Sequence, residues 1–232
     1  MLCVGSRGDV QPMTALGVEL RRRGHDVLLA VPSDLVDLVA RAGLSAVSAG
    51  VDARGFLQSA EGQRLLAAGD SRRYLTALAR KRAAVIGDVQ DALIGAVRGA
   101  DVIVASRLVE DDAAVLAEHA GIPLTGLHYA PSRPNRAIAP YFVTVRRLPA
   151  PLTALTHTVA ARVHWRAIAG SVNALRARLG MRPVREPTGD RLARAGTTTA
   201  LVFGSHFAPA VDALYPVLSQ AGTEAATRFE QT

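Results

Sequence analysis

The chain is 232 residues long and 49% hydrophobic, with a formal net charge of +7, which is enough for one or two packed units with a real core and reads as globular. Every basic residue except Lys81 is arginine, and only 4% of residues are aromatic. Arginines such as Arg54, Arg98 and Arg107 are scattered rather than set in the aromatic-interleaved stripe of a nucleic-acid surface, so no nucleic-acid partner is expected.

Cys3 stands alone, which rules out an intrachain disulfide, and the His and Asp residues show no metal-ligand spacing, so no metal site is expected. A cytoplasmic location fits this usage. The start lacks a signal-peptide pattern, and no apolar run approaches the roughly 18–20 residues that span a bilayer. Membrane contact, if any, is expected to be peripheral, at the inner face.

In chain order, the first informative stretch is Gly5-Ser6-Arg7-Gly8-Asp9-Val10-Gln11-Pro12. Residues 2–4 read as the end of a strand, and residues 13–23 as an amphipathic helix with Leu16 and Leu20 on one face and Gly24 as its stop. Pro12 suits a first helical position, with its fixed φ and missing N–H. The turn sets Asp9 where a strand hands over to a helix, the usual place for chemistry in an open α/β sheet. Asp9 can take a proton there, and the free helix amides can face an anion. A plain turn residue bonding nearby backbone N–H groups fits the same local sequence.

Residues 27–31 form the next buried strand. Pro32-Ser33 starts a helix to about residue 42 that Gly43 ends, and residues 44–47 offer a third strand, which makes a doubly wound beginning. Residues 51–63 are irregular, and a long helical region over 65–97 is expected to break near Gly69 or Gly87. Residues 101–105 form an apolar strand, 111–119 a helix ended by Gly121, and 122–128 another strand that enters the loop Tyr129-Ala130-Pro131. Ser106, Arg107, His128 and Tyr129 follow these strands at their carboxyl ends and are candidate crevice contacts, although ordinary loop polarity also explains them. Asp111-Asp112 reads as charge at a helix start rather than a metal pair. Residues 132–151 are rich in Pro and Arg and read as a long functional loop. A helix over 152–179, closed by Gly180, carries outward arginines and Trp165 and reads as packing on the sheet rather than on a membrane. A last strand is expected over 197–203 and a loose polar segment over 219–232.

The opening octapeptide, Ala15-Leu16, Leu20, Gly24-His25-Asp26-Val27, Ala30-Val31-Pro32, Ala42-Gly43-Leu44, the strand over 101–105, the helix end over 118–123 and His128-Tyr129-Ala130-Pro131 together resemble the N-terminal domain of GT-B glycosyltransferases. The resemblance is to the sterol, glycolipid and glycopeptide-antibiotic group, glycosyltransferase family 28 N-terminal-like within the UDP-glycosyltransferase superfamily. It implies a doubly wound, Rossmann-like α/β parallel sheet, the N-terminal half of a GT-B fold. Residues 1–216 would then be the acceptor-binding domain and 217–232 a polar tail, with the C-terminal nucleotide-sugar-binding domain absent.

The implied activity is inverting transfer of a hexose from a nucleotide-sugar co-substrate, a UDP- or dTDP-sugar, to a hydroxyl of a lipid, sterol, polyketide or peptide aglycone. On the same resemblance Asp9 takes the position of the general base, and Gly5, Ser6, Arg7 and Gly8 border the leaving diphosphate. Ser106, Arg107, His128 and Tyr129 would line the acceptor, and no metal or other cofactor is implied. The family's first strand begins several residues earlier, and nothing here resembles its donor-binding half. The expectation is therefore a truncated, frameshifted or split protein, active only with a separate C-terminal GT-B domain. A non-catalytic module that binds a hydrophobe in the acceptor crevice is the alternative. A dinucleotide-dependent oxidoreductase fits poorly, because the turn is not Gly-x-Gly-x-x-Gly.

Overall fold

The computed structural model describes residues 1–52, 55–68, 71–129, 132–140 and 148–201. The chain divides into two compact units, Met1–Val109 and Glu110–Thr232. The end of the strand expected over 197–203, the rest of the domain expected to run to 216, the tail over 217–232, Arg54, Gly69 and Ala130-Pro131 lie outside the described residues.

In the first unit the chain runs through α1 (Arg7–Arg22), β1 (Leu28–Val31), a 3-10 turn (Ser33–Leu35) that leads into α2 (Val36–Arg41), β2 (Ser45–Ser48), α3 (Gly55–Gln58), α4 (Ala60–Ala67), α5 (Ser71–Ala96) and β3 (Ile103–Ser106). β1 and β2 pair in parallel, with Leu28 opposite Ser45 and Val31 opposite Ser48. Leu2 bridges Ala30 and Ala105, both in parallel. Its N–H donates to the Val104 carbonyl at 2.7 Å, and the Cys3 N–H donates to Ala30 at 2.9 Å. The first residues therefore lie between β1 and β3, and the order β2, β1, residues 2–3, β3 is the doubly wound arrangement expected from the sequence. Parallel neighbours cannot be joined by hairpins, so each return passes through a helix that covers a face of the sheet. The buried set is Leu2, Leu29, Val31 and Ile103 from the strands, Val10 and Met13 from α1, Val39 from α2 and Leu93 from α5. Each large side chain so buried contributes about 1.5–3 kcal/mol.

The structure departs from the sequence reading in places: α3 and the start of α4 fall within residues 51–63, read as irregular from their glycines and weak periodicity. Helix α1 starts at Arg7, with Ser6 as N-cap, so Pro12 lies inside the helix rather than at its first position. At the sixth helical residue, Pro12 lacks the N–H that would reach the Gly8 carbonyl, which loosens the first turn from the rest. The long helical region breaks at one of its two expected places, since α4 ends at Ala67 and α5 begins at Ser71, whereas Gly87 lies within α5 and does not interrupt it. The helix stops agree with expectation: Gly24 and Gly43 follow α1 and α2 with φ of +89° and +79°, a conformation costly for any side chain.

In the second unit come α6 (Glu110–Ala120), β4 (Leu124–His128), α7 (Ala150–Arg178), α8 (Thr188–Arg194) and β5 (Thr199–Leu201). β4 and β5 pair in parallel, with Gly126 opposite Thr199. Val115, Leu116, Leu127, Trp165, Val172 and Leu175 are buried. Helix α7 packs on α6 and turns Trp165 inward, while Leu152, Leu155, Val159 and Val163 on its other side are exposed. Residues 132–140 form no helix or strand, as expected of the long loop, yet they are pinned. The Asn135 side-chain oxygen accepts from the Ala137 and Ile138 N–H groups at 3.0 and 2.7 Å, and His157 Nε2 of α7 donates to the Ile138 carbonyl at 2.9 Å. Among the described residues no helix is long and apolar enough to cross a membrane.

One ion cluster ties this unit together. Arg176 of α7 is buried and grips Glu118 of α6 with two bonds, at 2.7 and 2.9 Å, while its Nε donates to the Arg182 carbonyl at 2.6 Å. Arg191 of α8 donates to the same carboxylate. The Arg176 bonds hold the Glu118 carboxyl below its ordinary range against the opposing effect of burial, and the Arg191 charge assists. A carboxylate depressed in the folded state stabilises the fold above its unfolded pKa, about 4.3, and loses that contribution as pH falls through the folded value. Thermal melts should therefore show Glu118→Gln less stable than wild type near neutrality, with the gap closing in acid. A gap that is constant with pH would contradict this role for the ion cluster.

Candidate functional site

At the carboxyl end of the first strand segment the chain turns through Gly5 into Ser6, and the Ser6 N–H and hydroxyl both donate to Asp9 Oδ2, at 2.7 and 2.9 Å. Asp9, the third residue of α1, thus reaches back to the N-cap backbone as in a capping box. The plain turn role is therefore real: Asp9 is half-buried and occupied through one oxygen. Its other oxygen, Oδ1, accepts no hydrogen bond from the described residues. The Asp9 and Val10 N–H groups bond the Ser6 carbonyl at 2.9 and 3.1 Å. The Arg7 and Gly8 amides open the helix on an exposed surface.

Gly5 makes this arrangement possible. A Cβ at Gly5 would lie 2.4 Å from Asp9 Oδ2 and 2.7 Å from its carboxyl carbon, so any side chain there displaces the carboxylate. A Cβ at Gly8 meets only Ser6 Oγ, at an ordinary 3.5 Å. The two glycines therefore do different work: Gly5 seats Asp9, whereas Gly8 keeps the helix start bare.

Beneath the turn lies Cys3, fully buried. Burial pushes its thiol up to about 12, the Asp9 charge adds to this, and the Ser106 hydroxyl, its polar neighbour, opposes it. Cys3, Asp9 and Ser106 are thus gathered at the carboxyl edge of the sheet, where the strand order reverses between residues 2–3 and β3. Ser106 is only 1% exposed, so it forms the floor of this corner. Arg107 follows it, partly exposed.

His128 and Tyr129, at the carboxyl end of β4, belong to the second unit. Tyr129 is half-buried. His128 is 1% exposed, and its Nε2 lies 3.0 Å from Glu110 Oε1 while its Nδ1 lies 2.7 Å from Ser132 Oγ. Arg133 Nη2 also meets Glu110 Oε1, at 2.7 Å, and bonds Thr199 Oγ1 at 2.9 Å. Its burial keeps His128 from direct contact with a ligand, and the exposed group of this network is Ser132. Sequence reasoning missed Glu110, Ser132 and Arg133, since the 18-residue separation of His128 and Glu110 leaves no local pattern. Among the described residues no group of His, Cys, Asp and Glu is arranged to hold a metal.

Residues 1–139 match the glycosyltransferase family 28 N-terminal domain. The chain belongs to that family. An uncharacterized glycosyltransferase of Mycobacterium tuberculosis is 37% identical over 196 residues, which are 83% of this chain and 46% of the relative. O-mycaminosyltylonolide 6-deoxyallosyltransferase of Streptomyces fradiae is 35% identical over 188 residues, 79% of this chain and 44% of that enzyme. Among solved structures, the glycosyltransferase of kitacinnamycin superposes with a TM-score of 0.54 at 18% identity, over 91% of this chain and 47% of that one. The fold is that of GT-B glycosyltransferases, and the chain spans about half the length of the relatives it matches.

The steric difference between the two glycines has a measurable consequence. Gly5→Ala should destabilise the chain by about 1 kcal/mol through loss of the Asp9 cap, whereas Gly8→Ala should be neutral or stabilising by up to about 1 kcal/mol, because alanine is the better helix former. Urea unfolding of the two variants checks this. Equal effects would contradict the seating of Asp9 on Gly5.

Proposed function

We propose that this chain is the acceptor-side half of an inverting glycosyltransferase, with Asp9 as the general base. The observation that carries the reading is the half-buried Asp9 carboxylate, fixed through one oxygen by Ser6 and left with Oδ1 open, at the carboxyl edge where the strand order reverses. Glycosyltransferases of this family use nucleotide-sugar donors without a metal cofactor, and a UDP- or dTDP-sugar is the proposed donor. The acceptor is proposed to be a hydroxyl of a lipid or hydrophobic natural product, in line with the family's antibiotic-pathway members such as the Streptomyces fradiae enzyme.

An alcohol is a weak nucleophile. As its oxygen bonds to the anomeric carbon and the bond to the diphosphate breaks, its proton passes to Asp9 Oδ1, and attack on the face opposite the leaving group inverts the centre. Proton transfer to a positioned base contributes about 10²–10⁴-fold, and positioning supplies much of the rest. The departing diphosphate needs donors. The Ser6 N–H and hydroxyl are committed to Asp9, so of Gly5, Ser6, Arg7 and Gly8 the reading leaves the exposed Arg7 and Gly8 amides at the positive end of α1. Most of the nucleotide is assigned to a C-terminal GT-B domain. Arg107 and Tyr129, both partly exposed, are proposed as direct acceptor contacts, and the buried Ser106 and His128 are not.

The test combines this chain with the C-terminal half of the Streptomyces fradiae relative and measures nucleoside diphosphate release from UDP- and dTDP-hexoses in the presence of O-mycaminosyltylonolide. Transfer should appear, and Asp9→Asn should lower kcat by about 10²–10⁴-fold while acceptor binding is retained. Undiminished turnover of Asp9→Asn would remove Asp9 from the chemistry. Acceptor binding with no donor consumed in any combination would favour the non-catalytic binding module.

A further inference from the structure

The buried network at the end of β4 has a polarity that its hydrogen bonds determine. Glu110 and His128 are 2% and 1% exposed, and the Arg133 guanidinium donates to Glu110 Oε1 at 2.7 Å. Glu110 Oε1 already accepts from Arg133, so in a neutral ring the proton sits on the Nε2 that faces this oxygen at 3.0 Å. Nδ1 is then bare. The group facing it is the Ser132 hydroxyl at 2.7 Å, which donates to the bare nitrogen, and Ser132 is itself exposed. Gly126 leaves the room this requires, because a Cβ there would lie 2.8 Å from Glu110 Oε1 and 3.1 Å from His128 Nε2.

We propose that Glu110, His128 and Ser132 form a proton relay that makes Ser132 an outward-facing proton acceptor, a site that takes the hydroxyl of a ligand alcohol. The order is that of a nucleophile, a base and a carboxylate that orients the base. The alcohol O–H donates to Ser132 Oγ, Ser132 Oγ–H donates to His128 Nδ1, and any positive charge on the ring is balanced by Glu110. A ligand carbonyl in the same place meets lone pairs and is rejected. Identifying that alcohol with the sugar acceptor rests on the glycosyltransferase reading, and there Ser132 is a positioning residue. The relay itself does not depend on that reading.

Diisopropyl fluorophosphate tests the relay on the 232-residue chain alone. Ser132 Oγ forms a bond to phosphorus, the P–F bond breaks, fluoride leaves, and the Oγ proton passes to His128 Nδ1. Peptide mass spectrometry should find Ser132 modified well above the other serines. Ser132→Ala, on an exposed position, should remove the label, and His128→Gln, if folded by circular dichroism, should slow it at least tenfold. A wild-type Ser132 no more reactive than the other serines, or labelling undiminished in folded His128→Gln, would overturn the relay and leave only a bond that pins the loop. Either result is independent of the Asp9→Asn test of sugar transfer.

Discussion

The first unit depends on the parallel pairing of residues 2–3 with strands on both sides. Leu2 bonds β1 and β3 at once, so the chain opens at the centre of a sheet rather than at its edge, and every later strand is added by a helical crossover. That constraint decides where chemistry can occur. A central parallel strand ends at the carboxyl edge, and the order reverses there, so the next residues, Gly5 to Asp9, border a crevice between neighbouring loops. The apolar residues beneath, Cys3 among them, keep water from the strand and leave the polar groups of the turn as those presented to a ligand.

If Asp9 is the proposed base, it serves two demands that share one carboxylate. As a cap it satisfies the backbone of its own helix start, and as a base it must keep an oxygen free. The structure separates them by atom: Oδ2 takes both bonds from Ser6, and Oδ1 is left. Gly5 is part of the same solution, because the carboxylate lies against the space a Cβ would occupy.

Much of this was legible in the sequence where the cause is local. Gly24, Gly43, Gly121 and Gly180 were readable as helix stops because the positive φ they adopt excludes other residues. The apolar runs gave the strands because parallel strands are buried on both faces. The start of α1 was less legible: Pro12 is a strong first-turn signal, and it outweighed the weaker Ser6-to-Asp9 capping pattern that the structure uses. Helix α8 has seven residues, of which Thr188 and Leu192 are buried, too short to show a period. The Glu110–His128–Ser132 network was invisible because its members come from α6, β4 and a loop, and only the fold brings them together. His128 was singled out for its place at a strand end, and the structure buries it and leaves Ser132 as the exposed member of the network.

A carboxylate that only caps a helix and one that also takes a proton differ in whether a free carboxylate can replace them. Formate can enter the space left by Asp9→Ala and accept a proton, but it cannot restore a tethered cap. The decisive measurement is nucleoside diphosphate release by Asp9→Ala, joined to a donor-binding half, as formate is added. The account predicts low activity that rises with formate concentration while wild type is unaffected. An inactive variant that formate leaves inactive, or one that is fully active without it, would contradict the assignment of Asp9 as the base.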